Sequence, residues 1–377
     1  MSRIRVVVAD DSLTVRRHLV DVLSAECDFE VVGEAADGQQ AVELCEQLRP
    51  SVITMDMMMP QMTGLAATQY IMAYCPTPIL IVSASVNRGE VLRTFDALAA
   101  GAVDVLDKPS ARQPGGAWEK TFLDALRLIS RIKPITHPPS QLKSKSAWSP
   151  IAEPEVVSTL PKPAPVEHRP ARVGNPARFQ PAEIVAIGAS TGGPAALAAI
   201  LYRIPADFPL PILLVVHIAD QFADGFAQWL DGESKLRVRY AIDGEPLPRP
   251  GKSEVIMAPP SRHLVARQGR LKLTDDAERN SCRPSVDVLF ESVAREYGSR
   301  AAACLLTGMG RDGAMGLLQV RNSGGVTIAQ DESTSVVFGM PRAAIEIGAA
   351  DMILPLFEFV PTLCSMADMD PDQKVSA

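Results

Sequence analysis

The chain has 377 residues, of which 47% are hydrophobic and 21% charged. That is a globular composition, which excludes wholesale disorder, collagen and a coiled-coil rod, and the length calls for two or three domains because one core seldom grows through so long a chain. A formal net charge of −7, from 44 acidic and 37 basic side chains, gives no overall field favouring nucleic acid or an anionic membrane.

The N-terminal text MSRIRVVVADD lacks the apolar run of a signal peptide, and no stretch approaches the roughly 18 apolar residues of a spanning helix. No direct membrane insertion is expected. The six cysteines, Cys27, Cys45, Cys75, Cys282, Cys304 and Cys364, form no CxxC pairs and suit free thiols in a reducing cytoplasm.

Taken in chain order, residues 4–9 (IRVVVA), 29–34 (FEVVGE), 51–55 (SVITM), 78–82 (PILIV) and 102–106 (AVDVL) are short β-rich runs. Text of helical periodicity, such as LTVRRHLVDVLS and GQQAVELCEQLR, separates them. The alternation predicts an α/β domain over residues 1–131 with a five-stranded parallel sheet, closed by a helix carrying Trp118, Phe122, Leu126 and Ile129.

Asp10 and Asp11 follow the first of these strands, Asp56 ends the third, Ser83 ends the fourth and Lys108 follows the fifth. All converge on the carboxyl edge of the sheet, where open α/β folds place ligands. Clustered carboxylates repel one another unless a hard cation joins them, and oxygen ligands of this kind suit Mg²⁺. Capping and loop acids would account for Asp10 or Asp56 singly, but not for a suitable group at every strand end. Met55, Met57, Met58, Met59 and Met62 crowd the Asp56 loop and read equally as adaptable surface or ordinary packing.

Eleven of the 31 prolines fall within residues 133–182. Prolines remove donors and fix φ, and the apolar residues there are too sparse for a core, so residues 132–182 are read as an extended proline-rich linker whose His137 and His168 carry no chemistry.

A second α/β domain is predicted over residues 183–377, doubly wound and mostly parallel, with strands at EIVAIGAS, PILLVVH, SEVIMAPP, RAAACLLT and VTIAQ. The segment RHLVARQGRLKLTD reads as a hairpin about Gln268 and Gly269, an antiparallel elaboration expected at a sheet edge.

In this domain VAIG runs into Ala189, Ser190, Thr191, Gly192 and Gly193, with Pro194 placed to start a helix. The segment fits the G-x-S-x-G elbow of an exposed serine nucleophile, and its doubled glycine could equally cradle a phosphate. No Walker lysine and no GxGxxG spacing follow, while His217 closes the next strand, which weighs against a nucleotide site. A serine nucleophile needs a base and an acid to orient it. His217 and Asp312 can serve Ser190 if three strand ends meet, whereas His18, His137, His168 and His263 stand elsewhere.

Through VVVADDS, DMMMPQMTG, IVSAS and DKP, residues 3–131 resemble the receiver domain of two-component response regulators. The resemblance implies Asp56 as phosphoacceptor from a cognate sensor histidine kinase, with Asp10, Asp11 and Asp56 holding Mg²⁺. Ser83 would hydrogen-bond a phosphoryl oxygen and Lys108 would neutralise it. Val105 stands where receivers usually carry an aromatic switch residue.

Nearly the whole chain resembles the chemotaxis protein-glutamate methylesterases, through IGASTGGP, VVHI, SCRPSVDVLF and LTGMGRDGAMG. This implies hydrolysis of glutamate γ-methyl esters on chemoreceptor cytoplasmic domains, releasing methanol, with receptor-glutamine deamidation as a second activity. It also implies recruitment to membrane receptor arrays and no cofactor for ester hydrolysis. The resemblance points to the Met309 backbone as an oxyanion donor; Thr191 and Arg283 are support candidates, for which purely structural bonding serves as well.

The family usually continues its histidine motif with methionine and prolines, where this chain reads His217-Ile218-Ala219-Asp220-Gln221-Phe222. A phosphorylation-dependent binding regulator with a degenerate or retargeted esterase domain is the competing expectation. A DNA-binding regulator lacks any helix-turn-helix pattern here.

Overall fold

The computed structural model describes residues 3–84, 88–109, 116–132 and 182–369. The predicted linker, His137 and His168 included, lies outside the described residues but for its two ends.

In the first domain β1 (Ile4–Ala9), α1 (Leu13–Ser24), β2 (Phe29–Ala35), α2 (Gly38–Leu48) and β3 (Val52–Met55) lead to α3 (Gly64–Tyr74) and β4 (Ile79–Ser83). Then come α4 (Arg88–Ala99), β5 (Asp104–Asp107) and α5 (Ala117–Ile129). Ser12, Asp37 and Thr63 cap the first three helices, each side-chain oxygen accepting a first-turn backbone N–H. The five strands pair in parallel in the order β2-β1-β3-β4-β5, as expected from the apolar runs. Register then places the strand ends. Ala9 pairs with Met55, so Asp10 and Asp56 leave the sheet side by side, and Ser83 pairs with Asp107, so Lys108 follows beside it.

The second domain runs β6 (Ile184–Ala189), α6 (Gly193–Arg203), β7 (Ile212–Val216), α7 (Asp220–Glu233), β8 (Arg237–Tyr240) and β9 (Glu254–Met257). After the hairpin β10 (His263–Arg267) and β11 (Arg270–Thr274) come α8 (Val286–Tyr297), β12 (Ala301–Leu305), α9 (Ala314–Asn322), β13 (Val326–Gln330), α10 (Met340–Glu346), β14 (Met352–Leu354) and α11 (Phe359–Met366). Seven strands pair in parallel in the order β14-β13-β12-β6-β7-β9-β8. From β6 the chain winds first toward β7 and later, through β12, the other way, so the end of β6 stands at a topological switch point.

Three features depart from the sequence reading. The edge strands β8 and β14 were not among the expected strands, β14 being three residues long. In β8 two arginines occupy four positions, and Arg239 is stabilised by carboxylates at Glu245 and Glu254, partners beyond the strand itself. The hairpin forms its own two-stranded sheet and packs on α8 instead of extending an edge of the main sheet. Its Ala266 and Leu271 are buried in the core beneath α8, where an edge strand's outward face would be exposed.

The two domains share a continuous hydrophobic core in which α4 packs on α6 and α7. Phe95 of α4 is fully buried, with ring centroids 5.2 Å from Phe226 and 5.5 Å from Trp229. The Trp229 indole N–H donates to Asp96 at 2.9 Å. No helix among the described residues is long and apolar enough to cross a membrane.

Candidate functional sites

At the carboxyl edge of the first sheet the Lys108 ammonium lies 2.9 Å from Asp10 Oδ2 and 3.0 Å from Asp56 Oδ2. Ligand oxygens of Asp10, Asp11 and Asp56 fall within 4.8 Å of one another. Burial, with repulsion from Asp10 and Asp11 and against the attraction of Lys108, pushes the Asp56 carboxyl up to about 6. Asp56 Oδ1 is buried without a hydrogen-bond partner. An orphaned carboxylate oxygen beside two further carboxylates fits a hard divalent cation. The Ser83 hydroxyl, at the same edge, donates to Glu90 at 2.9 Å.

The second candidate site surrounds the end of β6. Gly192 adopts a left-handed φ of 76° that turns the chain into α6. Within this turn the Ser190 N–H donates to the Thr307 carbonyl at 3.0 Å, and the Ser190 carbonyl accepts from Gly193 N–H at 2.6 Å. The Gly193 N–H is therefore committed to the turn and the Ser190 N–H to the segment that follows β12. Gly308 backs directly on Ser190, leaving no room for a Cβ, and the side chain of the next residue, Met309, faces solvent.

His217 follows β7, and its backbone N–H bonds to the Ala189 carbonyl at 3.0 Å, so it stands beside Ser190. Its Nε2 lies 3.0 Å from Asp312 Oδ2. Burial would lower the imidazole, but the hydrogen bonds to Asp312 and Cys282 prevail and push it up to about 9. Nδ1, 3.8 Å from Cys282 Sγ, is the ring nitrogen turned from Asp312, and it can accept a proton when the imidazole is neutral. No hydrogen bond joins it to the Ser190 hydroxyl among the described residues, and catalytic contacts of this type commonly close only around substrate.

Asp312 is held more elaborately than sequence suggested. It accepts from Ser285 Oγ at 2.7 Å, Asn280 Nδ2 at 3.0 Å, and the backbone N–H groups of Val286 at 2.7 Å and Asp287 at 3.3 Å. The last two open α8, so the carboxylate sits on a helix N-terminus. Burial works against its charge, yet the hydrogen bonds from His217, Ser285 and Asn280 outweigh it and hold the carboxyl below its usual range. Ser285 also caps α8, a role the SVDVLF text signals. Nothing local marks Asn280, which reaches both Asp287 and Asp312.

The two support candidates have other partners. Arg283 donates to the carbonyls of Asp275 and Asp276, anchoring a loop. Thr191 Oγ1 donates across the domain boundary to Asp104 Oδ2 at 3.1 Å.

Fold and sites together define a phosphoacceptor-type α/β domain docked on an α/β domain that carries a Ser, His and Asp group. A family model described as response regulator receiver domain matches residues 6–114, and one described as CheB methylesterase matches residues 185–363. The "Protein-glutamate methylesterase/protein-glutamine glutaminase 2" of Anaeromyxobacter dehalogenans is 46% identical over 94% of this chain and 94% of its own. The Nitrosospira multiformis protein-glutamate methylesterase/protein-glutamine glutaminase is 41% identical over 99% of this chain and 100% of its own. The Thermotoga maritima CheB methylesterase catalytic domain, a crystal structure, is 41% identical and covers 49% of this chain and 98% of its own with a TM-score of 0.46. The chain belongs to the protein-glutamate methylesterase/protein-glutamine glutaminase family.

Proposed function

We propose that this protein is a phosphorylation-regulated serine hydrolase that removes methyl groups from glutamate γ-methyl esters of chemoreceptor cytoplasmic domains, releasing methanol, and deamidates receptor glutamines. The observation that carries the reading is the His217–Asp312 pair at 3.0 Å, standing at the strand end next to Ser190. His217 Nδ1 takes the Ser190 proton as the hydroxyl oxygen attacks the ester carbonyl, and Asp312 on Nε2 fixes the tautomer and stabilises the imidazolium. The tetrahedral intermediate expels methanol, which receives the proton from His217. Water, activated by the same imidazole, then hydrolyses the acyl-serine. The backbone at Met309 is the proposed oxyanion donor, a contribution typically worth about 2.7–4 kcal/mol.

Control enters through Asp56, which accepts a phosphoryl group from a sensor histidine kinase, with Mg²⁺ held by Asp10, Asp11 and Asp56 to offset phosphoryl charge. Ser83 and Lys108 receive the new phosphoryl oxygens, which requires Ser83 to leave Glu90. Lys108 must also redistribute its contacts with Asp10 and Asp56, loosening the β4–α4–β5 face that covers the Ser190 turn. With Val105 in place of an aromatic switch residue, α4 and the Asp104–Thr191 contact transmit the change. The protein works in the cytoplasm, recruited to receptor arrays by its substrate.

Asp56→Ala is expected to keep basal methanol release from a methylated receptor fragment and to lose all stimulation by a small-molecule phosphodonor. Stimulation surviving in that variant would place the phosphoacceptor elsewhere.

Burial raises the Asp104 carboxyl above its ordinary value, against the hydrogen bonds it accepts from Val105 and Thr191. Separated domains would return it to that value, so the docked state binds the proton more tightly. Docking is therefore favoured as pH falls and weakened as pH rises through the raised value. Asp104→Asn, permanently neutral, should lower basal methanol release at neutral pH and flatten this component of the pH profile. An Asn variant whose profile matches the wild type would remove Asp104 from the latch.

A further inference from the structure

We propose that His217 and Cys282 form a binding site for a soft divalent cation, Zn²⁺ in the first instance, whose occupancy blocks the serine chemistry. Cys282 Sγ lies 3.8 Å from His217 Nδ1. A tetrahedral zinc ion with nitrogen at about 2.0–2.1 Å and sulfur at about 2.3 Å separates those donors by about 3.6 Å. One ion thus fits between them with a shift of a few tenths of an ångström.

The imidazole is already oriented for the task. Nε2 is held by Asp312 at 3.0 Å, the carboxylate–histidine arrangement that aims the other nitrogen's lone pair at a metal. The Asp312 oxygen, the His217 nitrogen and the Cys282 sulfur are grouped within 4.8 Å. With Ser285, Asn280 and the α8 N–H groups already on its oxygens, Asp312 serves as the outer partner and not as a ligand.

Access is open as well. Cys282 is half-buried and lines a cavity of about 400 Å³ together with Asn280, Ser281, Met309, Gly310 and Arg311, which leaves room for the waters that complete the coordination. Cys45, Cys75, Cys304 and Cys364 are buried. The Asp10–Asp11–Asp56 cluster offers oxygen alone and so selects a harder ion. As the ion binds, the thiol proton and the proton carried on Nδ1 by the protonated imidazole leave to solvent, and the ion takes the Nδ1 lone pair that would otherwise accept the Ser190 proton. Binding follows from these donors alone, whereas the inhibition rests on the proposed function.

The test uses the full chain, reduced, in millimolar Mg²⁺ so that the acidic cluster is filled. Zn²⁺ is titrated in competition with a chromophoric chelator. Wild type and Cys27→Ser should each take up one tight equivalent that Cys282→Ser and His217→Gln lack. Zn²⁺ should also slow alkylation of Cys282 in the unmutated chain, and a chelator should restore it. Undiminished uptake in Cys282→Ser, or alkylation indifferent to Zn²⁺, would overturn the site.

Methanol release is measured in parallel, each variant against its own metal-free rate. Wild type should lose at least ten-fold on Zn²⁺ addition and regain it with chelator, and Cys282→Ser should lose far less. Zinc uptake without loss of rate defeats the inhibitory role. A metal-free wild type that releases no methanol defeats the proposed function and leaves the binding site standing on the titration.

Discussion

Replacing Ser190 by alanine is expected to lower methanol release from a methylated receptor fragment by about 10⁴-fold or more, the scale on which serine hydrolases lose activity when the nucleophile is removed. The size of the effect follows from the single covalent role given to the hydroxyl. The proposed donor at the Met309 backbone and the Asp312-bound imidazole would still be present, but no acyl intermediate could form. Stability should barely change, because Ala189 and the Ser190 backbone make the turn's contacts and Gly308 meets the Ser190 Cβ, which alanine retains. Unfolding profiles of the two proteins should therefore coincide. A variant that keeps the wild-type rate would end the serine mechanism. An inactive wild type that still binds receptor fragments on phosphorylation would favour the competing binding-regulator reading.

Gly225→Ala should raise methanol release by the unphosphorylated chain, several-fold to about a hundred-fold, toward the level reached with a phosphodonor. A Cβ at this position in α7 would stand 2.2 Å from Val91 Cγ1 of α4, and the short, branched, buried Val91 side chain has little freedom to yield. Overpacking of this kind typically costs about 1–3 kcal/mol, and here the cost falls on the docked arrangement alone. Within α7 the same change favours the helix by about 0.8–1 kcal/mol, so the hydrolytic domain should be no less stable. Phosphodonor should then add little further rate. A folded variant with unchanged basal and stimulated rates would show that the α4–α7 contact does not limit access to Ser190.

The two predictions bear on different links of one chain of cause. Ser190 tests the chemistry at the end of β6, while Gly225 tests whether the α4 surface governs it from the neighbouring domain. The Thr191–Asp104 hydrogen bond, one residue from the proposed nucleophile, is where the two meet.

Much of this architecture could be read locally. Runs such as IVAIGA and ILLVV are buried at every position because parallel strands covered on both faces are apolar throughout, and that pattern is present in the residues themselves. The strand ends then single out Asp10, Asp56, Lys108, Ser190 and His217, since parallel strands all present their carboxyl ends to one edge. The short edge strands escaped because β8 relies on carboxylates outside the strand to hold Arg239 and β14 is too short to show a period.

Sequence alone determined the two α/β halves, the proposed linker between them and the residue types at each sheet edge, because periodicity records which face of an element is buried. Tertiary structure decided which nitrogen of His217 meets Asp312, that Asn280 and Ser285 hold that carboxylate, and that Thr191 faces Asp104 while Arg283 anchors a loop. It also brought α4 onto α7 and Cys282 within reach of the imidazole. These are contacts between elements tens of residues apart, set by how packed surfaces dock, and no local period encodes which surface meets which.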